Sequence, residues 1–533
     1  MRSLLKYHRH SRAPEKSAKR FAFCVISAPR LGWSGAVLFA FSFILGCGGG
    51  HASSAPAASV TSSPELTASD VQAVVQAAAV SVNVPAVVAV TSRGGEILAI
   101  FQQNGVPATS TGNFGATVDT RELAVALART ASYFSNDQAP LSSRTVRFIS
   151  GVHFPPGINN APNAALYGIE NTNRGCPFNT TFLSGQSISP SRSINGSSTG
   201  LGVITGKADI FDSDPNAVNP GGVPLFKNGH LVGGVGVAGT DAATAEFAAF
   251  SGAVGAGLGA KPAAPGVVVI DGIGLPFVNQ TSIPPGVSTG VMNGSFLVGP
   301  VASPGPVPEG DLIAQSAGTI GGLTSADVQQ IVSQAIANAN QTRAVIRLPD
   351  GQRAKFAIAV VDLDGRLLAL NRMHDSTVFS IDVAVGKARN MVYFSSAQVD
   401  PNDLPGVPPG TAVTNRTISF GAQPFFPPGI NLSSAGPFFN LYQFDTANPC
   451  TNGHQPANPN QNGVVFFPGS VPLYKNGMLV GGLGISGDGV EQDDYVSAQA
   501  AVGFDAPTAI RADQLMIRGV RLPYLKFPRN PTL

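Results

Sequence analysis

The sequence predicts an α/β chain of the α+β kind: two tandem domains, each a mainly antiparallel sheet with flanking helices, packed together as a pseudo-dimer. Three observations carry that prediction. Val223–Gly239 (VPLFKNGHLVGGVGVAG) and Val471–Gly487 (VPLYKNGMLVGGLGISG) share twelve of seventeen residues. The match extends outward: Leu66-Thr-Ala-Ser-Asp-Val71-Gln returns as Leu323-Thr-Ser-Ala-Asp-Val328-Gln, and Phe154-Pro-Pro-Gly-Ile-Asn159 as Phe426-Pro-Pro-Gly-Ile-Asn431. Helical and strand periodicities also follow one order in both copies. A long internal match of this kind marks a duplication, and copies of about 200 residues are of domain size. The boundaries read 1–46 as an export signal, 47–64 as a flexible tether, 65–278 as the first domain, 279–322 as a Gly/Pro-rich linker and 323–528 as the second domain.

Each copy opens with a helix. Thr67-x-x-Asp70 and Thr324-x-x-Asp327 place a hydroxyl and an acid at a helix start, the pattern of a capping box. Val71, Val74, Val75 and Ala78 then fall on one helical face, as do Val328, Ile331, Val332 and Ala335. Strands follow at 86–91 and 96–101, and at 356–362 and 366–372, around Gly-containing turns. A second helix is expected at 119–135 and 380–395, each ending Tyr-Phe-Ser. An irregular insert containing Phe-Pro-Pro-Gly-Ile-Asn comes next. The twin segments then form hairpins at Asn228-Gly229 and Asn476-Gly477, strong type I′ signals. A last helix, about 243–256 and 491–502, precedes a Leu-Pro-aromatic strand.

Residues 1–30 hold Arg2, Lys6, Arg9, Arg12, Lys16, Lys19, Arg20 and Arg30 against Glu15. Leu31–Gly46 is uncharged and mostly apolar, and Cys47 follows. A basic, apolar, small-residue layout is that of an export signal. With Cys at the cut it resembles a bacterial lipoprotein signal, in which Cys47 takes the lipid (palmitate among the chains expected) and ties the protein to the cell envelope. Gly48 after the Cys directs it, by that resemblance, to the outer membrane of a Gram-negative bacterium. The alternative is an uncleaved membrane anchor. The net charge of +2 rests on this segment, so no basic footprint for nucleic acid remains. Charged residues make up 12% of the chain, against 62 Gly and 42 Pro, which describes a globular but loop-rich protein.

Of four cysteines, Cys24 leaves with the signal and Cys47 takes lipid. Cys176 and Cys450 occupy corresponding places in the copies. In an exported protein thiols tend to be oxidised, and equivalent residues can meet across a pseudo-twofold axis. The pair is a disulfide candidate; the alternative is two separate loop thiols.

At this point the chain resembles the GlcG/HbpS-like family. Copy 2 carries the pattern in Ala359-Val-Val-Asp362-Leu-Asp-Gly-Arg-Leu-Leu-Ala-Leu-Asn-Arg372-Met373, Lys387-Ala388, Gly481-Gly-Leu-Gly-Ile-Ser-Gly487 and Asp494. Copy 1 departs from it, with Thr91-Ser92 and Gln102-Gln103 in place of Val361-Asp362 and Arg372-Met373. The resemblance implies a profilin-like sandwich, self-association (a homo-oligomer of pseudo-dimeric subunits) and, in several members, binding or breakdown of haem.

Haem needs an axial ligand in an apolar pocket. Four histidines remain after the signal and tether: His153, His230, His374 and His454. Neither first helix contains one. His374 is the best candidate for an axial ligand, with Met373 beside it and Arg372 and Lys387 as partners for the propionates; the alternative is a solvent-facing loop His. His230 and Met478 follow a hairpin turn and are expected to be exposed. The run Gly233-Gly234-x-Gly236 lies on a hairpin rather than in a βαβ unit, so it reads as room for a close helix and not as a nucleotide loop. Glu491, Asp493 and Asp494 read as a charged helix start, and Lys387 as a solvated charge. No hydrolase triad or zinc spacing emerges. The resulting function is a lipid-anchored protein binding haem or a similar small apolar cofactor. The rival readings are a non-catalytic structural or interaction lipoprotein and, third, an oxidative haem-degrading enzyme.

Overall fold

The structure, a computed structural model, describes residues 64–112, 117–155, 157–174, 176, 178, 220–260, 268–270 and 273–533. The export segment, Cys47 and almost all of the tether lie outside them. Among the described residues no helix is long and apolar enough to cross a membrane.

Both first helices form where the capping boxes place them. Helix α1 is Ala68–Ser81 in copy 1, and its copy-2 equivalent, numbered α5 in chain order, is Ser325–Ala339. Thr67 and Thr324 accept from the N3 amides, and Asp70 and Asp327 accept in return from the cap amides. The acids do a second job: Lys227 Nζ meets Asp70 at 2.6 Å and Lys475 Nζ meets Asp327 at 2.8 Å, pinning each helix to its hairpin.

The sheets share one strand order. In copy 1 it runs Gly222–Lys227, His230–Ala238, Val87–Ser92, Ile97–Gln103, Gly294–Val298. In copy 2 it runs Ser470–Lys475, Met478–Gly487, Phe356–Val361, Leu367–Arg372, Gly310–Ile313. Every pairing is antiparallel, and register shifts recur at equivalent places, Leu225/Phe226 and Leu473/Tyr474 among them. Asn228 and Asn476 adopt φ of 54° and 51° at the hairpin turns, the left-handed backbone a type I′ turn requires.

Three expectations need correction. The fifth strand of each sheet comes from the stretch 279–322 expected to be linker, so that stretch is built into both domains. The Leu-Pro-aromatic segments do not join the main sheets; they end or follow short separate pairs, 268–270 with 273–275 (which includes Leu275) and 516–517 with 520–521. Their backbone is used instead as a clamp, Ser142 Oγ donating to Phe277 O and Thr414 Oγ1 to Tyr524 O. The described part of the insert also contains helices that were not expected, at Ser143–Ser150 (α3), Asn415–Gly421 (α7) and Phe439–Ala447 (α8). Ser142 and Thr414 cap α3 and α7 through a Thr at N3 rather than an acid, a weaker sequence signal.

Helix α1 and the last helix of copy 1, Ala242–Gly255 (α4), cover one face of sheet 1; α5 and Val490–Ala500 (α9) do the same for sheet 2. The opposite faces carry Thr120–Phe134 (α2) and Phe379–Phe394 (α6). These two helices are buried nearly all round, since each is covered by its own sheet and by the other copy. The glycine run explains how close they come. A Cβ at Gly234 or Gly236 would meet the carbonyl oxygens of Ala128 or Ala124 at 2.2 and 2.0 Å, and at Gly482 or Gly484 those of Ala388 or Ala384 at the same distances.

The copies meet through equivalent residues. His153 lies against Phe425 and Tyr167 stacks on Tyr442, with ring centroids 6.0 and 5.2 Å apart, and Cys176 is bonded to Cys450, Cα atoms 5.4 Å apart. Three pairs of sister residues in contact place a pseudo-twofold axis along this seam. Ion pairs flank it, the buried Arg174 with Asp445 at 2.9 Å and the part-buried Arg93 with Asp375 at 2.6 Å.

Candidate functional site

A cavity of about 560 Å³ opens at this seam, within the ~300–1,000 Å³ usual for small-molecule sites. Its apolar wall is aromatic and comes from both copies: Phe134, Ile149 and Phe154 from the first, Phe379, Phe420 and Phe467 from the second. Phe134 ends α2 and Phe379 begins α6, and their rings stack at 4.1 Å, 11° from parallel. The polar wall is formed by Asn163, Arg343, Arg416, Gln492, Asp493 and Lys526.

Part of that polar wall is unsatisfied. Asn163 Nδ2, Arg416 Nη2 and Gln492 Nε2 are buried donors without a partner among the described residues, and Asp493 Oδ1 is a buried acceptor in the same state. Buried polar atoms are normally paired, and each one left unpaired costs about 1–3 kcal/mol. Several of them on one cavity wall mark where a ligand's polar atoms belong.

Asp493 and its neighbour Asp494 lie at the acidic helix start expected from the sequence and also make buried ion pairs. Asp494 is buried and holds Arg416 Nε, as Glu246 holds Arg144 Nε at 2.7 Å in copy 1. Asp493 pairs with Lys387 Nζ at 2.9 Å, and Lys387 also donates to Ile485 O at 2.8 Å. Lys387 is 0% exposed because α6 is covered on both sides. Burial pushes the Asp493 carboxyl up to about 7, against the opposing pull of Lys387, and pushes the Lys387 ammonium down.

The sister copy shows that the fold does not need this pair. Gly221 is flanked by Leu127 and Ala245, and Gly469 by Lys387 and Asp493. Copy 1 thus fills with apolar side chains the place where copy 2 carries a buried ion pair. Such pairs commonly add no stability over well-packed apolar groups, so the pair is a candidate functional feature of copy 2. Aligning the copies residue by residue would have exposed it in the sequence.

Arg372, Met373, His374 and Lys387 are not gathered at one site. Arg372 and Met373 are neighbours at a strand end and point to opposite faces, as the pleat demands. Met373 joins the core beneath α5 and α9. Arg372 is fully buried, donating to Ser376 O and to the backbone oxygens of Val307 and Pro308; burial, then the nearby Arg93 charge, lowers it to about 9. His374 is 79% exposed and meets Glu309 at 2.7 Å. His153 is buried and donates to Ala161 O, and His230 and His454 pair with Asp137 and Asp403. None of these lines the cavity. Among the described residues no group of three or more His, Cys, Asp or Glu is placed to hold a metal ion.

Residues 323–502 match the family model described as haem degrading protein HbpS-like. A solved structure titled PduOC:Heme complex is similar at 23% identity, covering 34% of this chain and 95% of that one with a TM-score of 0.22. Klebsiella pneumoniae protein ORFY, of family model DUF336, is similar at 21% identity, covering 34% of this chain and 90% of that one with a TM-score of 0.23. No curated protein matches the chain. The family match spans copy 2 from its first helix through α9, residues 323–502 of 533, and supports a GlcG/HbpS-like domain there.

Proposed function

We propose that the protein binds haem or a similar flat apolar cofactor in the cavity between its two copies, and that it does so at the cell envelope, held by lipid on Cys47. The observation that carries the binding reading is the aromatic cavity with unpaired polar groups on one wall. The GlcG/HbpS-like domain at 323–502 supports the choice of ligand class.

Haem itself can be tested against the wall. Phe134, Phe379 and Phe467 suit a flat apolar ring, and Arg343, Arg416 and Lys526 suit its carboxylates. The iron is not matched, because no described lining residue is His, Cys, Met or Tyr. Binding is therefore read through the ring and its carboxylates, with no chemistry at iron. Haemin titration of the purified protein, followed at the Soret band, tests this. Ala165→Trp, at the cavity wall, is expected to weaken binding at least tenfold, while His374→Ala leaves it unchanged. Loss of the signal in His374→Ala alone would move the site to the exposed sheet end; absence of binding in the unaltered protein would favour a structural or interaction role.

A further inference from the structure

We infer that the ligand of the inter-copy cavity is an aromatic carboxylic acid, bound through its carboxylate by Arg416, Gln492 and the open first turn of α9, with no metal required. The inference rests on the cavity reading above and adds the chemistry of the ligand's polar end.

Two independent features meet at this wall. The first is the set of unpartnered donors. Gln492 is 2% exposed, lines the cavity, and has no acceptor for Nε2 among the described residues; Arg416 has none for Nη2. Arg416 is fixed by Asp494 through Nε, which leaves the outer edge of its guanidinium for a second acceptor. A carboxylate takes several donors at once and is the acceptor a guanidinium edge fits best.

The second feature is the contrast between the sister helices. In copy 1, Asp241 caps α4 and accepts from the amides of Ala243 and Thr244. In copy 2 the cap of α9 is Gly489, which has no side chain to offer. Gly489, Val490 and Gln492 line the cavity, so the first turn of α9 faces it without the carboxylate its sister carries. A ligand carboxylate would stand in that place, where the helix end favours negative charge.

Each acid at this wall already has a cation, and the remaining acceptor, Asp493 Oδ1, calls for a donor on the ligand and not for its carboxylate. Asp493 is paired with Lys387, Glu491 with Lys526 and Asp494 with Arg416. Arg343, which donates to the backbone oxygens of Arg529 and Asn530, is left as the excess positive charge.

The test compares metal-free protoporphyrin IX with its dimethyl ester, titrated into the full chain by porphyrin fluorescence, in the unaltered protein and in Gln492→Met. The acid should bind about tenfold to a hundredfold more tightly than the ester, the range expected of hydrogen bonds to a charged group. Gln492→Met should cost the acid about tenfold and leave the ester unchanged. Acid and ester binding alike, with both displaced by Ala165→Trp, would overturn the carboxylate and leave the cavity reading intact. Haemin binding while metal-free protoporphyrin does not would overturn the metal-independent claim. Failure of all three to bind would remove the cavity reading and this inference with it.

Discussion

Replacing Lys387 separates a paired buried acid from an unpaired one. In Lys387→Leu the Asp493 carboxylate keeps its burial and loses its cation and one hydrogen bond. Breaking a buried pair in this way costs about 3–5 kcal/mol. The double variant Lys387→Leu/Asp493→Ala recreates the Leu127/Ala245 arrangement of copy 1 and is expected to lie within about 1 kcal/mol of the starting protein, since apolar replacement of a buried pair is often neutral or better. The cost of the single variant depends on pH with a definite sign. Burial already raises Asp493 to about 7 with Lys387 in place, and losing the lysine raises it further. A carboxyl whose folded pKa exceeds its unfolded value binds extra protons in the native state. Its contribution is therefore full below about pH 4 and is lost as pH rises through the folded value. Lys387→Leu should be mild at pH 5 and severe at pH 8. Urea unfolding followed by circular dichroism, at both pH values, measures it. A single variant no worse than the double at pH 8 would show that the Asp493 carboxylate is well solvated and would refute the buried-pair argument.

Cys176 and Cys450 close a loop of sequence separation 274, for which loop-closure entropy alone suggests about 5 kcal/mol. Cys176→Ser should lower the thermal midpoint under oxidising conditions and abolish the effect of reductant on it; an unchanged midpoint would show that the seam holds without the bond. Cys47→Ser should leave the protein unlipidated and shift it out of the outer-membrane fraction, and fractionation like the unaltered protein would refute the lipoprotein reading.

Helices and hairpins were legible in the sequence because each has a local cause. Thr67 and Thr324 cap, Asn228-Gly229 and Asn476-Gly477 turn, and the apolar spacing names the buried face. The fifth strand of each sheet was not legible: Gly294–Val298 and Gly310–Ile313 sit amid Gly and Pro and become strands because an open sheet edge accepts them. Nor was the burial of α6 legible. Lys387 reads as a solvated charge on a helix of ordinary composition, and the second cover over that helix is the other copy of the domain. Arg389 of the same helix is also enclosed, donating to Gly365 O and, across the seam, to Phe178 O. The cavity escaped for the same reason, since its walls come from Phe134 and Phe154 on one side and Phe379 and Phe467 on the other. Periodicity within one copy carries no trace of that meeting.

Duplication supplies an internal control that a single domain lacks. Whatever both copies keep is accounted for by the fold: the capping Thr, the lysine on its first-helix acid, the glycines under α2 and α6, and the arginine of α3 or α7 on an acid of the last helix. Differences at structurally equivalent places need another cause. Copy 1 has Leu127, Ala245 and a capping Asp241; copy 2 has Lys387, Asp493 and an uncapped Gly489. All three differences lie on the last helix of copy 2 or in contact with it, and two of them leave groups on the cavity wall without a partner, Asp493 Oδ1 and the helix start at Gly489, while Lys387 is satisfied by Asp493 and Ile485 O. Random drift at buried positions tends to destabilise and is removed. The two incomplete arrangements on this one cavity wall are therefore better explained by a ligand that completes them. On this argument copy 1 serves as the wall and copy 2 as the binding half.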